Sequence, residues 1–188
     1  MATLSAMSAL RSGTVVGTGC TIGPSAVLAG VHGGDRVHID TAHLEECILG
    51  DDVHVGPYCR VRPNTVLGSG VQLGTHAEVK NSTVGPGTRI NHFCCVLDSD
   101  VGRDVNVGAG TVTCNFDGKA KHRTTIGDGV FIGSNSTLVA PVRLGERSYI
   151  GAASFIDSDV PAGALAVGRS RQRTVEGWAA RRGGVARE

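Results

Sequence analysis

Ten aliphatic-glycine pairs recur through most of this chain, mainly in six-residue register: Val55-Gly56, Leu67-Gly68, Leu73-Gly74, Val84-Gly85, Val101-Gly102, Val107-Gly108, Ile126-Gly127, Ile132-Gly133, Leu144-Gly145 and Ile150-Gly151. This is the hexapeptide signature of a parallel β-helix, in which one inward aliphatic residue marks each face of a three-sided coil of about 18 residues. Successive coils are joined by backbone hydrogen bonds at roughly 4.8 Å, and the inward Val, Leu and Ile residues form a continuous apolar column. Such a column needs few aromatic rings, and Phe, Trp and Tyr make up 4% of the chain. The 28 glycines are expected at corners, where positive φ costs little without a Cβ.

A length of 188 residues suits one elongated domain. The expected organisation is a flexible amino terminus over 1–13, a β-helical domain over 14–168 and a basic arm over 169–188. Eighteen basic residues balance 17 acidic ones for a net charge of +1, which argues against nucleic acid or an anionic membrane as the main partner. No apolar run is long enough to span a bilayer, and Met1–Gly13 lacks the basic and apolar regions of a secretion signal, so a cytoplasmic location is expected. Cys20, Cys47, Cys59, Cys94, Cys95 and Cys114 show no CxxC pairing and read as reduced, mostly packed thiols.

The register breaks in three places. Val31–Glu46, with Gly33-Gly34-Asp35 and His38 and His43, fits the hexad poorly and is expected to form an irregular coil. Thr113–Thr125 separates two aliphatic-glycine pairs by 19 residues and carries Asn115, Asp117 and Gly118 beside Lys119, Lys121, His122 and Arg123, the composition of a projecting basic arm. Loops of this kind on a rigid scaffold commonly carry function. Beyond Asp157 the hexad fades, and Thr174–Arg182 has the composition of a short helix, with Glu176 early and Arg181 and Arg182 late.

Arg62 and Lys80 are 18 residues apart, which puts them at equivalent positions on adjacent coils, about one strand spacing from each other. Two such cations either grip an anion between them, phosphate being the natural guest, or are solvated surface charges at a chance spacing. His92 follows Lys80 by two hexads. The cation pair, this histidine and the basic arm all fall within one or two coils.

From about Ile48 to Trp178 the chain resembles the carboxyl-terminal acetyltransferase domain of the bacterial glucosamine-1-phosphate acetyltransferase family. The resemblance rests on Arg62-Pro63, the run Glu78–Ser82, the run Val105–Lys119 with its NxGAGTxTxNxDG pattern, Phe131–Asn135, Leu138–Val142 and Ala166–Arg169. It implies a left-handed parallel β-helix of hexapeptide repeats, all-β, with a projecting loop and a short carboxyl-terminal helix or arm. Its implied reaction moves an acetyl group from acetyl-CoA to an amino-sugar phosphate, with no metal. By the same resemblance, Arg62, Lys80 and Lys121 hold the acceptor's phosphate and His92 is the general base. Asn106 contacts the sugar, and Asn115 the junction of sugar and acetyl group. Ala109, Ser134, Ala152 and Arg169 line the coenzyme A groove, with Arg169 directed at its phosphates.

Members of that family are homotrimers with sites between subunits, so Lys121 is expected to reach a neighbour's coil. The chain departs from the family at Cys95 and Phe116, where tyrosines are usual, and at Leu97, where glycine is usual. Cys95 therefore takes the place of a phosphate-binding tyrosine in the substrate site, and one lost hydrogen bond to a charged group costs roughly 1.5–3 kcal/mol. The 188 residues carry no Gly-rich amino-terminal nucleotide loop with a following Lys, so the chain is not expected to make the UDP-sugar itself. Two other classes compete with this reading. One is a non-catalytic trimeric scaffold. The other is a β-helical carbonic anhydrase, since His38 and His43 resemble part of its three-histidine zinc site, although a third ligand is missing.

Overall fold

The computed structural model describes residues 1–181, and nearly all of its regular structure is strand. Segments of two or three residues pair only with parallel partners one coil away and assemble three sheets of ten, nine and eight strands. Each sheet receives its strands in turn as the chain winds, so each forms one face of a coil. The first face contains Gln72–Leu73, the second Glu78–Lys80 and the third Thr83–Val84.

The inward strand residue of every coil stands on its counterpart below. On the first face the column runs through Ile22, Ile39, Val55, Leu73, Ile90, Val107, Ile132 and Ile150, all buried. Smaller buried residues fill the corners, as Ala26, Ala42, Cys59, Ala77 and Cys94 do between the first and second faces. Each large inward side chain contributes about 1.5–3 kcal/mol of transfer free energy, and the rod is stabilised rung by rung rather than at one centre.

Coil length varies around the expected 18. Val55 pairs with Leu73 eighteen residues on, but Leu73 pairs with Ile90 at seventeen, and Ile39 with Val55 at sixteen. The segment Val31–Glu46 is therefore regular: His38–Ile39 and His43–Glu45 are in-register strands of short coils, and the missing residues come out of corners. Residues 1–13, expected to be flexible, form the first coil. Thr3–Leu4 pairs with Thr21–Ile22, and Ala9–Leu10 with Val27–Leu28, because Leu4 and Leu10 continue two apolar columns downwards.

At the other end, strand Leu165–Ala166 extends the first face. Among the described residues helix is limited to one turn, Trp178–Arg181, which starts later than the expected Thr174. The rest of the expected basic arm, including Arg182, lies outside the described residues.

The glycine after each aliphatic residue has a different reason from the one expected. Gly85 and Gly133 do not have positive φ; a Cβ on Gly85 would stand 2.5 Å from the carbonyl carbon of Gly102, and one on Gly133 2.4 Å from the backbone nitrogen of Ala152. Close approach of the next coil excludes the side chain. Left-handed φ occurs two residues later and is often borne by non-glycine residues: Tyr58 at 63°, His76 at 59° and Phe93 at 57° at one corner.

Gly85→Ala, at a corner remote from the site described below, is expected to destabilise the rod by about 1–3 kcal/mol, the cost of forcing backbone aside in a packed interior. Chemical denaturation monitored by circular dichroism measures it.

Candidate active site

At the corner between the first and second faces, the residue preceding each left-handed position is stacked along the rod. The Gly110 N–H donates to the His92 carbonyl at 2.9 Å, the Asn135 N–H to that of Ala109 at 2.8 Å, and the Ala153 N–H to that of Ser134 at 2.8 Å. His92, Ala109, Ser134 and Ala152 thus occupy successive rungs of one corner. Arg169 follows Gly168, whose carbonyl accepts the Phe155 N–H at 2.9 Å at the top of that corner. Four rungs separate His92 from Arg169, or roughly 19 Å at the spacing of paired strands. Between them the side chains are small, so the corner is a strip with a cation at one end and an imidazole at the other.

The His92 ring is held from below. Its Nδ1 accepts the Thr75 N–H at 3.1 Å. In the neutral ring that bond puts the proton on Nε2 and occupies the lone pair. To take a proton from a substrate, His92 must leave Thr75; a half-turn about Cβ–Cγ exchanges Nδ1 for carbon there and frees the nitrogen. A groove of about 300 Å³ lies beneath the ring, lined by His54, Gln72, Leu73, Thr75, Asn91 and His92. Next to His92, Phe93 stacks on His76 at 5.0 Å between ring centroids, and His76 packs against Tyr58 at 5.0 Å. The aromatic ladder ends at Gly110, the next left-handed position of that corner.

The cations meet at the far edge of the second face. Val61 pairs with Val79, so Arg62 and Lys80 are adjacent, as their spacing predicted. Arg62 donates to Glu78 Oε1 at 2.9 Å. Within one chain, Lys121 lies against the Lys80 ammonium. The arm doubles back because it is a tight hairpin: Phe116 bridges Lys121, the Asp117 carboxylate accepts the Lys119 and Ala120 N–H groups at 2.7 Å, and His122 Nε2 stands 2.7 Å from Asp117 Oδ2. Backbone donors, Ala120 first, hold the Asp117 carboxyl far below the usual range. The Lys121 ammonium depresses the pKa of Lys80 by contact and by charge, with smaller effects of burial and Arg62. Two ammoniums brought this close disfavour each other's charge, and an anion between them relieves that repulsion.

One member of this cluster escaped sequence reasoning. Asp98, 4% exposed, accepts the side-chain amides of both Asn81 and Asn115 and interacts with the Lys121 and Lys80 ammoniums. Its signal was the spacing of Asn81, Asp98 and Asn115, each 17 residues from the next, which is the local coil length and was hidden by an assumed 18.

Asn106 belongs to the first face, where its Oδ1 receives the Asn91 amide at 3.3 Å. One chain therefore gathers Arg62, Lys80, Lys121, Asn115 and Cys95 around the second face, places His92 and the small-residue strip at a corner, and leaves Asn106 on another face. His38 and His43 diverge similarly: His38 stacks on His54 on the first face and His43 lies beside Glu45 on the second. All six cysteines are free thiols. Burial pushes Cys47 up to about 12 and raises Cys95, where Glu78 adds to the effect, so neither is poised as a thiolate nucleophile.

Residues 43–140 match the family model described as GMPPB C-terminal domain, and 123–158 match that of the bacterial transferase hexapeptide. The chain is 48% identical over 169 residues to the bifunctional protein GlmU of Heliobacterium modesticaldum and 46% identical over 172 residues to that of Thermotoga petrophila. The chain belongs to the GMPPB C-terminal domain family and carries the bacterial transferase hexapeptide repeat. Those alignments cover 90% and 92% of this chain but 37% and 39% of the GlmU proteins, so it corresponds to a little more than a third of their length. The LpxA structure of Moraxella catarrhalis, a UDP-N-acetylglucosamine O-acyltransferase, superposes with a TM-score of 0.55 at 17% identity over 98% of this chain and 77% of that one, a likeness of fold. Among the described residues, no helix is long and apolar enough to cross a membrane.

In this family member the depressed pKa of Lys80 has a measurable sign. A bound dianion stabilises the ammonium and raises that pKa. Inorganic phosphate is therefore expected to bind with proton uptake and to weaken as pH rises through Lys80's lowered value, below its ordinary 10.5. Calorimetry in two buffers of different ionisation enthalpy gives the proton count; phosphate affinity flat across that range contradicts the assignment.

Proposed function

We propose that the chain transfers an acetyl group from acetyl-CoA to the amine of an amino-sugar phosphate such as glucosamine-1-phosphate. The observation that carries this reading is the corner strip. An extended thioester arm laid along Ala152, Ser134 and Ala109, with its phosphates toward Arg169, brings its carbonyl to His92. The strip has the small side chains such an arm requires, and its length is on the scale of an extended pantetheine.

In this mechanism His92, released from the Thr75 N–H, removes a proton as the acceptor nitrogen forms its bond to the thioester carbonyl. The oxyanion so formed is stabilised by a backbone N–H of a coil turn. Its collapse breaks the carbon–sulfur bond, and the thiolate leaves with a proton, giving an amide and coenzyme A. No enzyme-bound acyl group is needed, in keeping with the raised pKa of Cys95. The acceptor's phosphate is held by Arg62, Lys80 and Lys121, with Asn115 beside it.

Asn106 and the cation cluster belong to different faces, so both can contact one sugar only if two copies contribute. This supports sites shared between subunits, and we take the assembly to be a homotrimer acting in the cytoplasm. Beside the cations the second face carries Cys95, Leu97 and Cys114, with Leu97 paired to Lys80. That apolar wall favours, as a second reading, an acceptor with fewer hydroxyls than glucosamine-1-phosphate. A hydrophobic wall discriminates against an added hydroxyl by at most about 10²-fold.

His92→Ala is expected to lower kcat by roughly 10²–10⁴ while coenzyme A binding persists, measured by thiol release with acetyl-CoA and glucosamine-1-phosphate. Unchanged turnover would remove His92 from the mechanism. Ser134→Trp, which fills the strip without touching the cations, is expected to abolish coenzyme A binding but spare phosphate binding; calorimetry with each ligand separates the two.

A further inference from the structure

Asp98 is the most enclosed charged side chain near the cation cluster, and its two oxygens are engaged differently. Oδ1 receives the amide of Asn81, its counterpart one coil below at the corner between the second and third faces. Oδ2 receives the amide of Asn115, the first residue of the arm, where the chain leaves the regular coil. Asn115 is the next rung of that corner column, seventeen residues on, and it is also the residue from which the arm departs, so the second oxygen ties the coil to the arm. Asn115 is otherwise fixed through its carbonyl, which accepts the His122 N–H at 2.7 Å. The charged groups facing the carboxylate are Lys80 from the coil below, Lys121 from the arm, and Arg123, whose partner is Asp100. Burial raises the Asp98 carboxyl, but the two amides and both lysines outweigh it and hold it ionised.

We propose that Asp98 is a positioning residue for acyl transfer: its carboxylate fixes the Asn115 amide for the transfer step and couples that amide to the lysines that grip the anion. This rests on the acyl-transfer reading given above. The carboxylate does not itself grip the anion, since it repels one. The proposal therefore separates binding from turnover, which a purely structural role does not.

In Asp98→Asn the new side chain has one acceptor oxygen for two amide donors, and Asn115 loses its charged partner. A lost hydrogen bond to a charged group of about 1.5–3 kcal/mol corresponds to a kcat lower by roughly 10- to 150-fold. At neutral pH, phosphate should bind as tightly as to the wild type or more tightly, because a repelling charge is gone. The alkaline limb of phosphate binding should move to lower pH, because Asp98 no longer supports the Lys80 ammonium. If Asp98 acts through Asn115, Asp98→Asn combined with Asn115→Ala should be no slower than Asn115→Ala alone.

Wild-type kcat in Asp98→Asn, or losses that multiply in the double variant, would overturn the proposal. A chain without acetyl transfer to any amino-sugar phosphate removes the underlying reading instead; the calorimetric arm still applies, and weakened phosphate binding in Asp98→Asn would then refute the separation of roles. Should Asp98→Asn fail to fold, Asn115→Asp tests the same contact by setting two carboxylates together. Its lost activity should recover as pH falls and the pair takes up a proton, and loss independent of pH would count against it.

Discussion

The coil-to-coil hydrogen-bond ladder governs this molecule. Backbone N–H groups of one coil donate to carbonyls of the next at about 2.7–3.3 Å over almost the whole chain, and the strand spacing they enforce sets every distance along the rod. Inward aliphatic residues fall into columns because the ladder repeats them, and glycine follows them because the next coil passes too close for a Cβ. The same repetition stacks His92, Ala109, Ser134 and Ala152 at one corner. A strip of small residues parallel to the axis is a property of the ladder, and it makes an extended thioester arm a better fit than a compact cofactor.

Rigidity also explains how like charges come to rest together. Lys80 is carried by a strand paired on both sides, and Lys121 by a hairpin tied through Asp117 and His122. A flexible loop would relax away from such a contact. Here the two ammoniums stay together in the presence of Asp98, and part of the work of assembling an anion site is done during folding. The opposite arrangement holds at His92, whose ring rests on the Thr75 N–H and must leave it to act. The anion site is preorganised, whereas the base has to be released.

Legibility followed the coil length. Arg62 and Lys80 were recognised as neighbours because their coil has 18 residues, the number assumed throughout. Asn81, Asp98 and Asn115 lie in coils of 17, and an 18-residue template scatters them, so the carboxylate that links the cluster was missed. The shorter coils between Val31 and Glu46 made a regular region look irregular, and Leu4 and Leu10 were left outside the helix because the aliphatic-glycine pairs used to find it begin later. Corner residues absorb these differences, and their side chains carry little periodic signal.

By itself the amino-acid sequence determined the parallel β-helix, the projecting arm, the cation pair and, through its motifs, the family. Those depend on local repetition, which survives in a linear string because each coil makes the same contacts as the last. Only the tertiary structure decided that Lys121 turns back onto its own Lys80, that Asp98 joins the arm to the coil, that His92 is held by Thr75, and that Asn106 faces away from the cations. These depend on side-chain direction and on which corner gains or loses a residue. One residue more or less in a corner changes which side chains stack on one another without altering the repeat that announces the fold.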